Sequence, residues 1–373
     1  MILKLENAVK YHYDKFPPSQ LNYSLFIDEL IKATDSLARF DQMLKNMHNN
    51  EILLAPLRNQ EAVISSRIEG TISTMDEILQ YEADQLDTDT HHIDARSDVI
   101  ETILYQRALK NAQKAIIEGY DLTTSFIKQM HQQLLFFGRG ATKSPGQYKT
   151  EQNYLADKAS KTVEFIPISP DKLIDGIENL LTYLKENNDP VLIKTALMHL
   201  EFEALHPFKD GNGRIGRMLI TLFLWKSKVI SEPHFYISGY FEEHKDEYID
   251  IMRNVSENNQ WEEWIKFFLT AVDKQAIKNL QIAENIQNLY EEMKKNFAEK
   301  LSSKWSVNAL DFVFTNPVFR NNRFTSNAGI PAPTAAKFTK KLIDIGYLST
   351  RQEASGRRPA LYSFEPLMKL VRI

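Results

Sequence analysis

Residues 190–205 are apolar on most faces of the helix that their pattern predicts. A helix with no wide polar face has to lie at the centre of a domain, covered from several sides. Asp189-Pro190 marks its start, because proline is preorganised for the first turn. His206-Pro207 ends it, since proline cannot continue a helix in the ordinary way. Gly211-Asn212-Gly213 then releases the backbone into a tight loop, and a second apolar helix runs from Arg214 to about Trp225. The twelve residues His206 to Arg217 therefore lie within the loop between two core helices and the first turn of the second, a loop with rigid walls.

The chain around this pair reads as mainly α. Ile27, Leu30, Ile31, Leu37, Ala38 and Leu44 form one stripe of a helix starting near Ser24. A second helix is predicted from about Pro56 to Glu69, stopped by Gly70, with Ser65 and Glu69 one turn apart on one face. Further helices are expected over 71–84, 95–118, 123–136, from Ser169-Pro170-Asp171 to about Leu184, over 242–254 and over 260–297. Residues 146–168 read instead as a β-hairpin flap, with Tyr148, Tyr154, Val163, Phe165 and Ile166 as strand formers around a polar tip. After Trp305 comes a helix over 306–314, a helix-turn-helix pattern ending in Thr334–Ile345, and two wing strands, Tyr347–Ser349 and Leu361–Phe364. That spacing resembles a winged helix. The expected division is an N-terminal helical region over 1–95, a core over 96–300, and a winged-helix domain over 301–373.

Several chemistries fall away. With no cysteine, disulfides, cysteine metal sites and thiol nucleophiles are excluded. No apolar run is long enough to span a bilayer, and the first residues form no signal peptide, so a cytoplasmic location with no membrane partner is expected. Gly138 to Ser144 is not a phosphate-binding P-loop, because Thr142 stands where glycine must precede the lysine. Adjacent His91-His92 lacks a spaced partner and reads as a solvated loop within an acidic connector. The net charge of −4 conceals an asymmetry: from Lys304 onward there are eleven Lys/Arg against four Asp/Glu.

The loop itself suits a metal-bound polyphosphate. Gly211 and Gly213 let backbone N–H groups approach phosphate at the positive end of the following helix. Asn212 adds an amide donor, and Asp210 is a hard oxygen ligand suited to Mg²⁺. Arg214 and Arg217, three apart, emerge on one side with forks that match phosphate oxygens. His206 titrates in the range that a general base needs. An EF-hand reading of Asp210-x-Asn212 fails, because Arg214 takes the next ligand position.

From His206 to Arg217 the chain matches, position for position, the HPFx(D/E)GNGRxxR signature of Fic-domain proteins, which it resembles over about 15–290. Phe202-Glu203 precede the signature, Pro145-Gly146-Gln147-Tyr148 resembles the segment before the family's flap, and Ser65 to Gly70 fits the (S/T)xxxE(G/N) inhibitory motif. The resemblance implies a Fic-type helical bundle that transfers AMP from ATP, with Mg²⁺, to a Ser, Thr or Tyr hydroxyl of a target protein or of itself. His206 would be the base and Asp210 the metal ligand. Gly211, Asn212, Gly213 and Gly216 would belong to the ATP-binding loop, with Arg214 supporting the leaving group and Arg217 holding the γ-phosphate. Tyr248 would pack near the adenosine. Val163, Glu164, Phe165 and Ile166 would pair with the target's backbone by strand addition. Glu69, positioned by Ser65, would inhibit by occupying Arg217. The chain departs from the family's pattern at Lys149 (commonly arginine), Ser256 (near a family asparagine) and Ile166-Pro167-Ile168 (usually two prolines). Transfer of another nucleotide, removal of AMP and a homodimer stay open. A different reading is a DNA-binding regulator, with Lys337, Lys340 and Lys341 on the exposed side of one helix and Arg357 and Arg358 on the wing.

Overall fold

The computed structural model describes residues 4–5, 7–47, 50–85, 95–157 and 160–372. In chain order its elements are β1 (Val9–Lys10), α1 (Ile27–Asn46), α2 (Asn50–Ile68), α3 (Met75–Gln85), α4 (Ser97–Ile117), α5 (Thr124–Leu134), β2 (Leu155–Ala156) and β3 (Val163–Ile166). There follow α6 (Leu173–Glu186), α7 (Val191–Leu205), α8 (Asn212–Lys226), α9 (Ser238–Glu243), α10 (Lys245–Asn258) and α11 (Trp261–Leu301). The chain closes with α12 (Ser306–Thr315), β4 (Val318–Arg320), α13 (Asn321–Asn327), α14 (Ala332–Asp344), β5 (Leu348–Gln352), β6 (Leu361–Phe364) and α15 (Glu365–Val371). The expected mainly α fold with a small flap is observed. The acidic connector with His91-His92 lies outside the described residues. No described helix is long and apolar enough to cross a membrane.

The chain divides into two compact units, the first comprising Met1–Asp41, Ile64–Thr71 and Leu104–Ile277. At its heart are α7 and α8, packed against one another, with α6 against α7 and α5 against α8. The absence of a polar face is explained by burial: every α8 residue from Asn212 to Leu224 is buried, and α7 is nearly as enclosed. Each fully buried Leu, Ile or Phe here contributes about 1.5–3 kcal/mol. Trp264 of α11 is wholly buried and donates its indole N–H to the Ala196 carbonyl at 2.8 Å, so its one polar atom is satisfied against α7. Beside it Phe241, Tyr248 and Phe267 stack as a second apolar layer.

The flap holds more than a hairpin. Its sheet has the order β1-β3-β2, with β1 parallel to β3 (Val9 opposite Phe165) and β2 antiparallel to it (Leu155 opposite Phe165). Strand β3 therefore has both edges filled from within the chain. The helix expected from Ser169 starts later, at Leu173, because Ser169-Pro170-Asp171 closes a tight turn, with Lys172 N–H donating to the Ser169 carbonyl. Another correction concerns α2, which begins at Asn50 and carries Pro56 inside it. Pro56 is the seventh residue of the helix, so the helix continues through it with one intrahelical N–H···O bond forgone, and the proline does not mark the boundary.

The second unit comprises Gln42–Val63, Ile72–Ile103 and Lys278–Ile373. Its C-terminal sheet has the order β4-β6-β5, all antiparallel, with α13 and α14 adjacent, and β5 and β6 fall where two strands were expected. Phe338 and Leu342 of α14 are buried, while Lys337, Lys340 and Lys341 are exposed. Acidic residues of α3 engage arginines in and around this sheet. Asp84 receives the fully buried Arg320 at 2.7 Å and Arg358 at 3.0 Å, and Asp76 receives Arg351 at 2.9 Å and Arg372 at 3.0 Å.

Candidate active site

Helix α7 ends on His206, whose φ of 44° puts a non-glycine residue in the left-handed region as the helix cap. Phe208 is fully buried and stacks on His131 of α5, centroids 3.7 Å apart and planes within 6°. Gly211, at φ 79°, precedes α8 as its N-cap. A side chain there would also meet Leu134 and His131. Asn212 does not point a free amide at solvent. It is 2% exposed, accepts from Phe208 N–H at 2.9 Å and donates to the Phe208 carbonyl at 2.9 Å, so both its amide groups brace the loop.

His131 holds the same loop from the opposite side. Gly146 N–H donates to its Nδ1 at 2.8 Å, which leaves the proton on Nε2, and Nε2 donates to the Asp210 carbonyl at 2.9 Å. Burial, opposed by Asp210, pushes this imidazole down to about 4, so the tautomer persists at neutral pH. Asp210 accepts from Gly211 N–H at 2.6 Å and from Arg214 at 3.5 Å through one oxygen, and its side chain is 40% exposed. Among the described residues no three His, Cys, Asp or Glu side chains gather around a metal position. One accessible carboxylate beside the start of a helix nonetheless fits Mg²⁺, which takes one or two carboxylates and completes its shell with phosphates and water.

His206 is itself well placed as a base. Its Nδ1 lies 3.3 Å from the Glu203 carbonyl, which can only accept, so Nδ1 carries the proton and Nε2 keeps its lone pair. Burial, together with the nearby Lys149 charge, lowers the imidazole to about 4 against the pull of Glu69 and Asp210. It is neutral at pH 7.

Arg217 is 2% exposed and held on three sides. Its Nε donates to Ser65 Oγ at 2.8 Å, while Nη2 donates to the Ser65 carbonyl at 2.8 Å and to Glu69 Oε1 at 2.7 Å. Partial burial works to raise the Glu69 pKa, but the Arg217 charge and hydrogen bond outweigh it and hold the carboxyl low, aided by Arg214 and His206. The end of α2 is fastened in turn by Lys245, which donates to the Ile68 carbonyl at 2.6 Å, and by an Arg67–Glu242 pair at 3.5 Å. Glu69 lies hard against the first turn of α8. A Cβ on Gly213 would come within 2.2 Å of Glu69 Oε1, so only glycine at 213 lets the carboxylate sit there.

Part of this constellation faces one cavity of about 500 Å³, whereas Ser65, Asp210, Gly211, Asn212, Arg214 and Gly216 are not among its lining residues. Of the residues singled out by sequence, Glu69, His206, Gly213, Arg217, Tyr248, Glu164 and Phe165 line it, joined by Leu155 to Asp157 of the flap. Tyr248 is 4% exposed, its hydroxyl 2.7 Å from His199 Nε2 and its ring stacked on Phe241. Gly216 faces Glu203 and His199, where any side chain would collide. Ser256 is engaged by His12 Nδ1 at 2.7 Å, and His12 Nε2 by Glu201 at 2.7 Å. Sequence reasoning missed His131, Lys149, Asn153, Lys245 and His12 as partners of the site. Lys149 stands out only as a departure from the family's arginine, and no local pattern points to the other four, because each acts across the fold.

Glu203 also lines the cavity, and burial and the Glu69 charge, opposed by Arg217, push it up to about 8. The sign follows directly. A carboxyl whose folded pKa exceeds the unfolded value of 4.5 contributes stability that is complete below that value and is lost as pH rises to about 8. Glu203→Gln should therefore raise the melting temperature by about a few degrees at pH 8 and by little at pH 5. Thermal melts at the two pH values check this; equal shifts at both would contradict it.

Two family models match the chain: "Fic/DOC family N-terminal" over residues 27–114 and "Fic/DOC family" over 121–224, together just over half of it. A protein adenylyltransferase fic-1 of Caenorhabditis briggsae is 26% identical over 114 residues, covering 30% of this chain and 20% of the relative. A probable protein adenylyltransferase of Aquifex aeolicus (strain VF5) is 23% identical over 210 residues, 56% of this chain and 58% of the relative. The chain thus spans about a fifth of the nematode relative and a little over half of the bacterial one. Among solved structures, a Fic family protein from Desulfovibrio desulfuricans G20 superposes with a TM-score of 0.60 at 16% identity, covering 93% of this chain and 98% of the other. A Fic domain containing signaling protein from Bacteroides thetaiotaomicron VPI-5482 gives 0.54 at 20% identity, covering 69% and 97%. At these identities the likeness is one of fold.

Proposed function

The chain belongs to the Fic/DOC family, and from that premise we propose that it is a protein adenylyltransferase that its own Glu69 restrains. The observation that carries the reading is the neutral His206, with an unprotonated Nε2, on the cavity that Arg217 also lines. His206 Nε2 takes the proton from a Ser, Thr or Tyr hydroxyl of the target protein. The hydroxyl oxygen bonds to the α-phosphorus of ATP, the bond from that phosphorus to the bridging oxygen breaks, and pyrophosphate leaves. Arg214 and the backbone N–H groups at the start of α8 receive the growing negative charge. Bound through Asp210, Mg²⁺ would supply charge neutralisation of the phosphates. Arg217 binds the γ-phosphate, and Tyr248 gives the adenosine an aromatic wall.

Glu69 opposes this arrangement, because its carboxylate occupies Arg217 and puts negative charge where the γ-phosphate has to arrive. Target docking by strand addition falls to the open edge of β2, since both edges of β3 are filled, and Val163–Ile166 then support that edge from behind. Intact-mass measurement after incubating the Glu69→Gly protein with Mg²⁺ and ATP tests the chemistry. An added AMP is expected; an added phosphate or another nucleotide contradicts it.

A second role is favoured by Lys337, Lys340 and Lys341 on the exposed face of α14. We propose that this face binds duplex DNA, with Arg357 on the wing and Arg358 tied to Asp84. Binding of the full-length protein to a duplex should weaken at least about tenfold between 50 and 200 mM salt. It should disappear in the Lys337→Glu, Lys340→Glu double variant. Equal binding by that variant would contradict the role.

A further inference from the structure

Four successive carbonyls pass through the turn that carries His206, and two residues from outside the motif donate hydrogen bonds to all four. Lys149 Nζ donates to the Leu205 carbonyl at 3.0 Å, and Lys149 backbone N–H donates to Pro207 at 2.8 Å. Asn153 Nδ2 donates to His206 at 3.0 Å and to Phe208 at 3.2 Å. The two are themselves joined, Lys149 Nζ donating to Asn153 Oδ1 at 2.8 Å. Lys149 is 3% exposed, a position a lysine takes only when its stem is covered and its donors are used.

We propose that Lys149 and Asn153 are positioning residues for His206, holding its imidazole in the orientation that proton transfer needs. The proposal rests on the adenylyl-transfer reading for its kinetic consequences only. The physical need is visible in the backbone. At φ 44° His206 occupies a conformation that costs a non-glycine residue on the order of 1 kcal/mol, and it persists only where surrounding contacts over-determine it. The motif's own contribution is Asn212 acting on Phe208, which leaves the Leu205, His206 and Pro207 carbonyls to the clamp. Both clamp residues lie just before β2, so the root of the flap and the base are tied together. A target seated on the flap is thereby placed relative to Nε2.

The charge of Lys149 acts in the same direction. It faces His206 and disfavours a second positive charge there, while Glu69 and Asp210 face the imidazole with the opposite effect. Burial, with no carboxylate among its hydrogen-bond partners, lowers Lys149 to about 7. Deprotonated, it retains two N–H donors for its two acceptors, so the clamp survives loss of the charge.

The experiment uses the full-length Glu69→Gly protein carrying Lys149→Met, Lys149→Arg or Asn153→Ala. Lys149→Met and Asn153→Ala should each lower kcat at least about tenfold, because small misplacements of a base are costly, with KM for ATP within about twofold. Lys149→Arg should recover most of the loss. Imidazole ¹⁵N spectra, with His206 assigned by its disappearance in His206→Ala, supply a readout that does not depend on transfer. In the parent and in Lys149→Arg, Nδ1 should be protonated and Nε2 bare. In Lys149→Met that single tautomer should give way to an averaged signal, with the imidazole titrating closer to its ordinary value near 6.5. An unchanged His206 signal in Lys149→Met and Asn153→Ala overturns the clamp, whether or not the parent transfers AMP. A parallel rise in KM with the fall in kcat also overturns it. A parent that transfers nothing while the spectra change as stated contradicts the transfer reading alone.

Discussion

Replacing Glu69 with glycine is expected to raise AMP incorporation at least about tenfold over the unaltered protein, the order of a charge-assisted contact worth 1.5–3 kcal/mol. The change removes the carboxylate 2.7 Å from Arg217 and the oxygen lying against Gly213. It leaves Ser65 in place, and Ser65 holds Arg217 through both Oγ and the carbonyl. The guanidinium therefore stays aimed while its partner becomes the γ-phosphate. A cost accompanies the gain. Without Glu69 the buried Arg217 has lost its counter-charge, so the free protein should melt at a lower temperature. Saturating Mg²⁺ and ATP should restore more stability to the variant than to the parent, because only the variant offers Arg217 to the nucleotide. Transfer assays and thermal melts check both statements. An unchanged rate would contradict the restraint, and an equal response to nucleotide would show that Glu69 and ATP do not compete.

His206→Ala in the Glu69→Gly protein should lower transfer by roughly 10²–10⁴-fold, the usual contribution of a positioned general base. ATP affinity should change little, since no nucleotide-binding role is assigned to the imidazole. The pH dependence of the parent reads the same group. The reactive form is neutral and protonation removes it; its pKa is lowered to about 4 with Glu69 present, and loss of that carboxylate's pull lowers it further, so Glu69→Gly should keep its activity on acidification at least to about pH 4. An unperturbed histidine would lose half its activity near pH 6.5. Rates across pH 4–8 in Glu69→Gly decide between them: a loss centred at 6.5, or substantial residual transfer in His206→Ala, would contradict the assignment.

The central hairpin of helices was legible in the sequence because its signals are local. The all-round apolar pattern of 191–205, the Pro207 stop and the glycines around Asn212 each act within a few residues, and the observed α7 and α8 follow them. Strand β1 was not legible, since two residues carry no periodicity and its pairing with β3 closes across the sequence. Helix α2 begins at Asn50, six residues before the predicted start near Pro56, because a proline can sit inside a helix as well as open one. In the site, the motif residues were visible as a group. The pairing of Arg217 with Glu69, 148 residues apart, was reached through family resemblance, not through any spacing. Asn212 shows the limit of reading residue type alone: an amide in a phosphate loop suggests a donor to ligand, yet its two groups are used on Phe208. Asn153 and His131 escaped notice for the same reason, and Lys149 stood out only as a departure from the family's arginine, with no sign of its role. Their partners are backbone carbonyls, which every residue possesses and no sequence pattern marks.

The central claim, a competent AMP-transfer site held back by one carboxylate, is tested most directly by following the two ends of ATP. The unaltered and Glu69→Gly proteins are incubated with Mg²⁺ and ATP labelled either at the α- or at the γ-phosphate. The account predicts that α-label accumulates on protein in the Glu69→Gly reaction and only weakly in the unaltered one, with γ-label on neither. Label transferred from the γ-position, or equal α-labelling by both proteins, would contradict it.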